Sequence, residues 1–136
     1  MSDILSAISL LLAIETALFG FIYTDVKKSL ELEPNKYPED DKLNFSFARN
    51  TLVSKLRPLL IISIIIPLLF VPEAIKIIKE TIITTKLYFF EIEYYSTSYS
   101  VVLFINFCLF VLTFYLMKLF YGLRKVIKSI NPDRKS

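Results

Sequence analysis

The chain has no histidine, no tryptophan, two glycines and a single cysteine. Without histidine there is no His-based catalytic dyad, and one cysteine gives neither an intramolecular disulfide nor a Cys/His zinc site. The lone thiol, Cys108, is most simply a small apolar residue. A strong charge of either sign is missing too: 16 Lys and Arg stand against 13 Asp and Glu, too mild a balance to point to nucleic acid. The apolar segments described below contain no aspartate. An intramembrane aspartate pair, a Ser/His arrangement or a metal site therefore has no residues to work with, and the reading is no enzyme, no metal and no cofactor.

What the chain has in quantity is apolar length. Residues 94–117 form a run of 24 without a charge, which as a helix reaches about 36 Å and exceeds the roughly 30 Å core of a bilayer. A hydrophobic content of 54% and a mean hydropathy of +0.55 over 136 residues fit one small helical bundle rather than a soluble fold. The expected class is an all-α integral membrane protein, multi-pass, in the cell (inner or plasma) membrane.

A first span covers residues 4–24. A cleaved signal peptide would need basic residues before the apolar core and a small-x-small site after it, and both are missing. At 100° per residue, Ser6, Ser9, Ala13, Thr16, Ala17, Gly20 and Thr24 share one side of this helix. The Ser9–Ala13–Ala17 and Thr16–Gly20 spacings let another helix come close, and packing within the chain is expected ahead of a dimer seam. Glu15 projects from the opposite side, among Ile8, Leu11, Leu12, Phe19 and Ile22. An ionised carboxylate there costs at least a few kcal/mol, so it should be neutralised, paired or facing a wet cavity. It serves either as a hydrogen-bonding strut to a neighbouring helix or as a transport or gating group.

Residues 25–57 form the first connection. Helix should run on to Glu33, PNKYPEDD reads as a turn, and Phe45, Ala48, Leu52, Val53 and Leu56 have helical spacing with Arg49, Lys55 and Arg57 around them. That amphipathic piece either lies in the headgroup region or packs on other cytosolic segments. A second span over 58–78 is shorter in uncharged residues, with Lys76 and Lys79 snorkelling outward and Pro67 bending the helix and freeing a carbonyl that a neighbour must satisfy. A re-entrant hairpin is its rival. The loop over 79–95 alternates Glu91 and Glu93 with Phe90, Ile92 and Tyr94, which suits a short strand or an interfacial lid.

The third span, 96–117, carries Asn106 near mid-depth, within about a helical turn of Glu15, and a carboxyl-to-carboxamide bond is expected between them. Ser63 and Thr113 should continue this polar track at similar depth. The segment 118–136 keeps helical spacing through Leu119, Leu123, Val126, Ile127 and Ile130, stops at Asn131 and Pro132, and is basic at Lys118, Arg124, Lys125 and Lys128. It reads as an amphipathic tail meeting anionic inner-leaflet lipids or a partner.

Charge orients the three spans. Residues 25–57 and 118–136 hold 13 Lys and Arg, whereas the N-terminal end and 79–95, with Lys76, hold three. The positive-inside rule then puts the N-terminus out and the C-terminus in, with Tyr94, Tyr95 and Tyr99 at the outer interface and Tyr121 at the inner one. The expected role is a structural, anchoring or accessory subunit for a cytosolic or membrane partner. The alternative is an oligomeric pore with Glu15, Asn106, Ser63 and Thr113 along its path. In size and topology alone the outline resembles some phage holins, small proteins that permeabilise membranes.

Overall fold

A computed structural model describes residues 2–34, 37–87 and 97–135. Every regular element among them is helical: α1 (Ser2–Leu30), α2 (Pro38–Asn50), a π-helical segment (Thr51–Leu56), α3 (Arg57–Leu87), α4 (Thr97–Ile130) and a closing 3₁₀ turn (Pro132–Lys135). Three helices are long and apolar enough to cross a membrane, Ser2–Leu30, Glu39–Ile83 and Thr97–Ile130. Residues 79–87 of the expected outer loop belong instead to α3, which runs on to Leu87, and the strand or lid expected on the alternation over 90–94 falls outside the described residues.

Several boundaries differ from the sequence reading. α1 ends at Leu30, three residues short of Glu33, and the chain leaves it through a Leu32 N–H to Ser29 carbonyl bond of 3.4 Å. α2 begins at Pro38 rather than near Phe45. Proline at the first helical position loses only an N–H that has no intrahelical partner, and Glu39, Asp40 and Asp41 favour the positive end of the helix dipole. Tyr37 before it is extended (φ −104, ψ 126), as the residue preceding a proline prefers.

From residue 38 to residue 87 the backbone is helical without a break, so α2 continues the second apolar helix instead of lying across its end. The re-entrant hairpin is thereby excluded. Proline at 67 and 72 is carried inside α3. The π-helical segment has a cause in the sequence. From the end of the π-helical segment into α3, core positions follow a seven-residue repeat through Leu56, Leu59, Ser63, Ile66 and Phe70. From α2 into that segment they run through Asp41, Phe45, Ala48 and Leu52, which is one residue out of step with Leu56. One turn of i→i+5 bonding absorbs the extra residue and keeps both halves facing the same core.

α4 carries the most regular repeat, with Val102, Asn106, Leu109, Thr113, Leu116, Leu123 and Ile130 buried. Such 4-3 spacing is that of a left-handed helical bundle. α1 runs parallel to α4, since Phe19 meets Tyr115 (5.9 Å between ring centroids) and Leu30 lies against Gly122. α3 runs antiparallel to both, with Leu59 near Leu116 in one cluster and Ile66 near Leu109 in another.

The core has two parts. Ile8, Ile66 and Leu109, with Leu11, Leu12, Ile105 and Phe70, form the smaller one toward the start of α1. The larger one lies at the lysine- and arginine-rich end, where Val26, Ala48, Leu56, Leu59, Leu116, Leu123 and Ile130 pack together. At about 51 Å, the 34 residues of α4 exceed a bilayer core by some 20 Å. The last turns of α4 keep a packed apolar interior, with Leu123, Ile127 and Ile130 in one cluster with Val26 and Ala48.

Candidate functional site

The four polar side chains singled out in the spans all point into the bundle. Glu15 is 1% exposed, Ser63 0%, Asn106 5% and Thr113 8%. The helical stripe Ile8, Leu11, Leu12, Phe19 and Ile22 that flanks Glu15 turns inward with it, as the spacing required.

Ser63 and Thr113 meet directly, with their hydroxyls 2.9 Å apart and the Thr113 hydroxyl also 2.5 Å from the Ser63 carbonyl and 2.9 Å from the Leu109 carbonyl. Thr113 has one hydrogen to give. The Leu109 carbonyl already receives the α-helical N–H four residues on, but the Ser63 carbonyl faces Pro67, which has no N–H. Thr113 therefore donates to Ser63, and Ser63 returns its own hydroxyl hydrogen to the Thr113 oxygen. A proline in one helix is repaired by a threonine in the next, which is how an apolar environment tolerates such a break.

Glu15 and Asn106 are different. Both carboxyl oxygens of Glu15 and the side-chain oxygen of Asn106 are buried without any hydrogen-bond partner. The expected bond between the two is not formed. With Phe19 level with Tyr115, Glu15 stands opposite about residue 111, so Asn106 sits roughly 7 Å further along the axis toward the start of α1. No hydrogen bond joins Ser63 to the Glu15 carboxyl either.

The small-residue stripe is not used within the chain. Ser9, Ala13, Thr16, Ala17 and Gly20 are exposed, and a Cβ placed on Gly20 would meet nothing within 4 Å. Thr16 satisfies its hydroxyl on the Leu12 carbonyl at 2.8 Å. The expectation of intrachain packing fails because α1 can bury only one side against α3 and α4, and the wider apolar side wins over the small one. At the basic end Arg124, Lys125 and Lys128 are exposed on the outer surface of α4.

Two features were not anticipated. Asp25 on α1 forms an ion pair with Lys55 in the π-helical segment, and Lys28 sits over the Phe47 ring at 5.9 Å. Both pin α1 to the long helix where the two leave the apolar zone. The 4-3 spacing of core positions was the signal that could have located them, since it sets which turns face each other. Comparison with protein-family models, with curated proteins and with solved structures gives no match.

Proposed function

We propose that the chain is a small multi-pass membrane protein of the cell membrane, crossing three times with its N-terminus outside. It acts as a structural, anchoring or accessory subunit rather than as an enzyme. The observation that carries this reading is the division of its surface. Glu15, Ser63, Asn106 and Thr113, inside the apolar zone, are turned into a closed core, while the faces left open are a smooth helix side and a basic end. A membrane helix of a partner, or of a second copy, can approach along Ser9, Ala13 and Ala17. Arg124, Lys125 and Lys128 meet anionic headgroups or a cytosolic surface, each cation contributing about 1 kcal/mol near anionic lipid.

The pore reading loses ground on the same observation. Glu15, Asn106, Ser63 and Thr113 line the inside of one bundle, so a channel between copies would not be lined by them unless the three helices separated.

The test is affinity purification from native membranes in mild detergent. Wild-type chain should bring a partner, or a second copy, in fixed proportion. Ala13→Leu/Gly20→Leu or Arg124→Gln/Lys125→Gln should lose it while the helical circular dichroism stays unchanged. Point substitutions are preferable to removing the tail, because Ile127 and Ile130 belong to the core. An identical set of co-purifying proteins for all variants would defeat the reading. Dye flux from liposomes that falls with Glu15→Gln would favour the pore instead.

A further inference from the structure

α3 carries two prolines in its interior, and only one of them is answered within the chain. Pro67 is buried, and the carbonyl it frees, that of Ser63, takes its hydrogen from Thr113. Pro72 has no N–H either, so the carbonyl of Leu68, one turn earlier, loses its α-helical partner in the same way. Leu68 and Pro72 are both exposed, on the side of α3 turned away from α4, and no side chain among the described residues donates to that carbonyl. Lipid has no hydrogen to give it, and a bare backbone carbonyl in the apolar zone is costly.

The matching donor is on α1. Among the described residues the Ser9 hydroxyl has no partner, whereas Thr16 satisfies its own on the Leu12 carbonyl. Ser9 is exposed together with Ala13, Ala17 and Gly20, on the small side that α1 keeps away from its own chain.

Depth brings the two groups together. Phe19 with Tyr115 and Leu30 with Gly122 set the register of α1 on α4, and Leu59 with Leu116 and Ile66 with Leu109 set that of α3. On that scale Ser9 stands level with Pro72 to within about 3 Å, and Ala13, Ala17 and Gly20 come level with Leu68, Ile65 and Ile61. These three α3 side chains are exposed and large, so a row of knobs on one helix faces a row of small residues on the other at equal depth. Within one chain the rows cannot meet, because both are on the backs of helices whose fronts pack on α4. Two copies in one membrane share one scale of depth.

We propose that the chain self-associates in the membrane by seating the small side of α1 on the Pro72 face of α3 in a neighbouring copy, with the Ser9 hydroxyl donating to the Leu68 carbonyl. The contact repeats between copies the repair that Thr113 makes inside one. It joins unlike surfaces, so each copy offers α1 to one neighbour and α3 to the next, and the copies close into a ring or extend as a row. This rests on the open α1 side of the reading above and commits it to one occupant, a second copy.

The experiment uses the full chain with Cys108→Ala, co-expressed in membranes as two differently tagged populations. One carries Ala13→Cys and the other Leu68→Cys. A membrane-permeant oxidant should link the two populations to each other and neither to itself, and Phe107→Cys, on the outer face of α4, should link to neither. Energy transfer between labelled copies diluted in lipid vesicles then measures the strength of association. Ser9→Ala should weaken it about three- to tenfold and Pro72→Ala by a similar factor. Added to Pro72→Ala, Ser9→Ala should change it by less than about twofold, since the carbonyl then closes on its own helix. Failure of Ala13→Cys to link with Leu68→Cys, linking of either position to itself, or a Ser9→Ala effect equal with and without Pro72 overturns the inference. If the wild-type chain brings down a different membrane protein and shows no self-association, the inference fails and the subunit reading stands. The expected links in a chain that brings down no other protein uphold the inference and remove the anchoring role.

Discussion

Replacing Thr113 by valine keeps the shape of the side chain and removes one hydroxyl, which makes it a clean probe of the Pro67 repair. In the wild-type bundle the Ser63 carbonyl receives its hydrogen from Thr113 at 2.5 Å and has no helical N–H to fall back on. Leaving that acceptor unpaired in an apolar core costs about 1–3 kcal/mol, and the lower half of that range applies because interhelical polar bonds in membranes average less than in water. The expected loss is about 1–2 kcal/mol. Pro67→Ala restores an N–H at position 67, and the Ser63 carbonyl then closes an ordinary α-helical bond. In that background Thr113→Val should cost only about 0.5 kcal/mol, the Ser63 hydroxyl's lost contact. The four chains form a double-mutant cycle with a coupling of about 1 kcal/mol, read from reversible unfolding in mixed micelles titrated with a denaturing detergent. Thr113→Ser should behave as wild type. Equal costs of Thr113→Val with and without Pro67 would refute the reasoning, since the threonine would then be doing nothing for the proline.

Two further outcomes follow from the packing and from the charge pattern. Leu123→Ala, at a fully buried core position, should destabilise the bundle by about 2–4 kcal/mol in the same unfolding assay, whereas Phe107→Ala on the outer face of α4 should change it by less than about 1 kcal/mol; comparable losses would mean that the faces of α4 are assigned wrongly. With Cys108 replaced by alanine, single cysteines at Ser2, Asn35 and Ser136 should react with an impermeant maleimide added to intact cells only at Ser2, and labelling at Ser136 would reverse the orientation.

Much of the fold was legible because apolar length is a blunt signal. The end of α4 at Ile130 was marked by Asn131 and Pro132, and the burial of Glu15 followed from the apolar residues that share its side of α1. The start of α2 was misread because PEDD resembles a turn until Pro38 is taken as a first helical residue backed by acidic neighbours. The Ser63 and Thr113 meeting was foreseen as shared depth, and its tie to Pro67 as a freed carbonyl that some neighbour must satisfy. Which neighbour did so depended on the rotation of α4 about its axis, and only the 4-3 repeat carries that. The failed Glu15 to Asn106 bond has the same origin. Equal depth by residue number allows an error of a full turn, and a hydrogen bond tolerates a few tenths of an ångström. The small stripe misled for another reason: a helix with two plausible faces can give only one to its own chain, and local sequence does not rank them.

The helical stretch from Pro38 to Leu87 has a mechanical meaning. With a contour of about 75 Å and no flexible joint at its midpoint, it behaves as a shaft. A tug or twist applied to its acidic tip is carried along the helix toward Pro67 instead of being dissipated in a slack connection. The π-helical turn fixes the angular setting of that shaft, because the one residue it absorbs keeps the tip and the buried half in register on the same core.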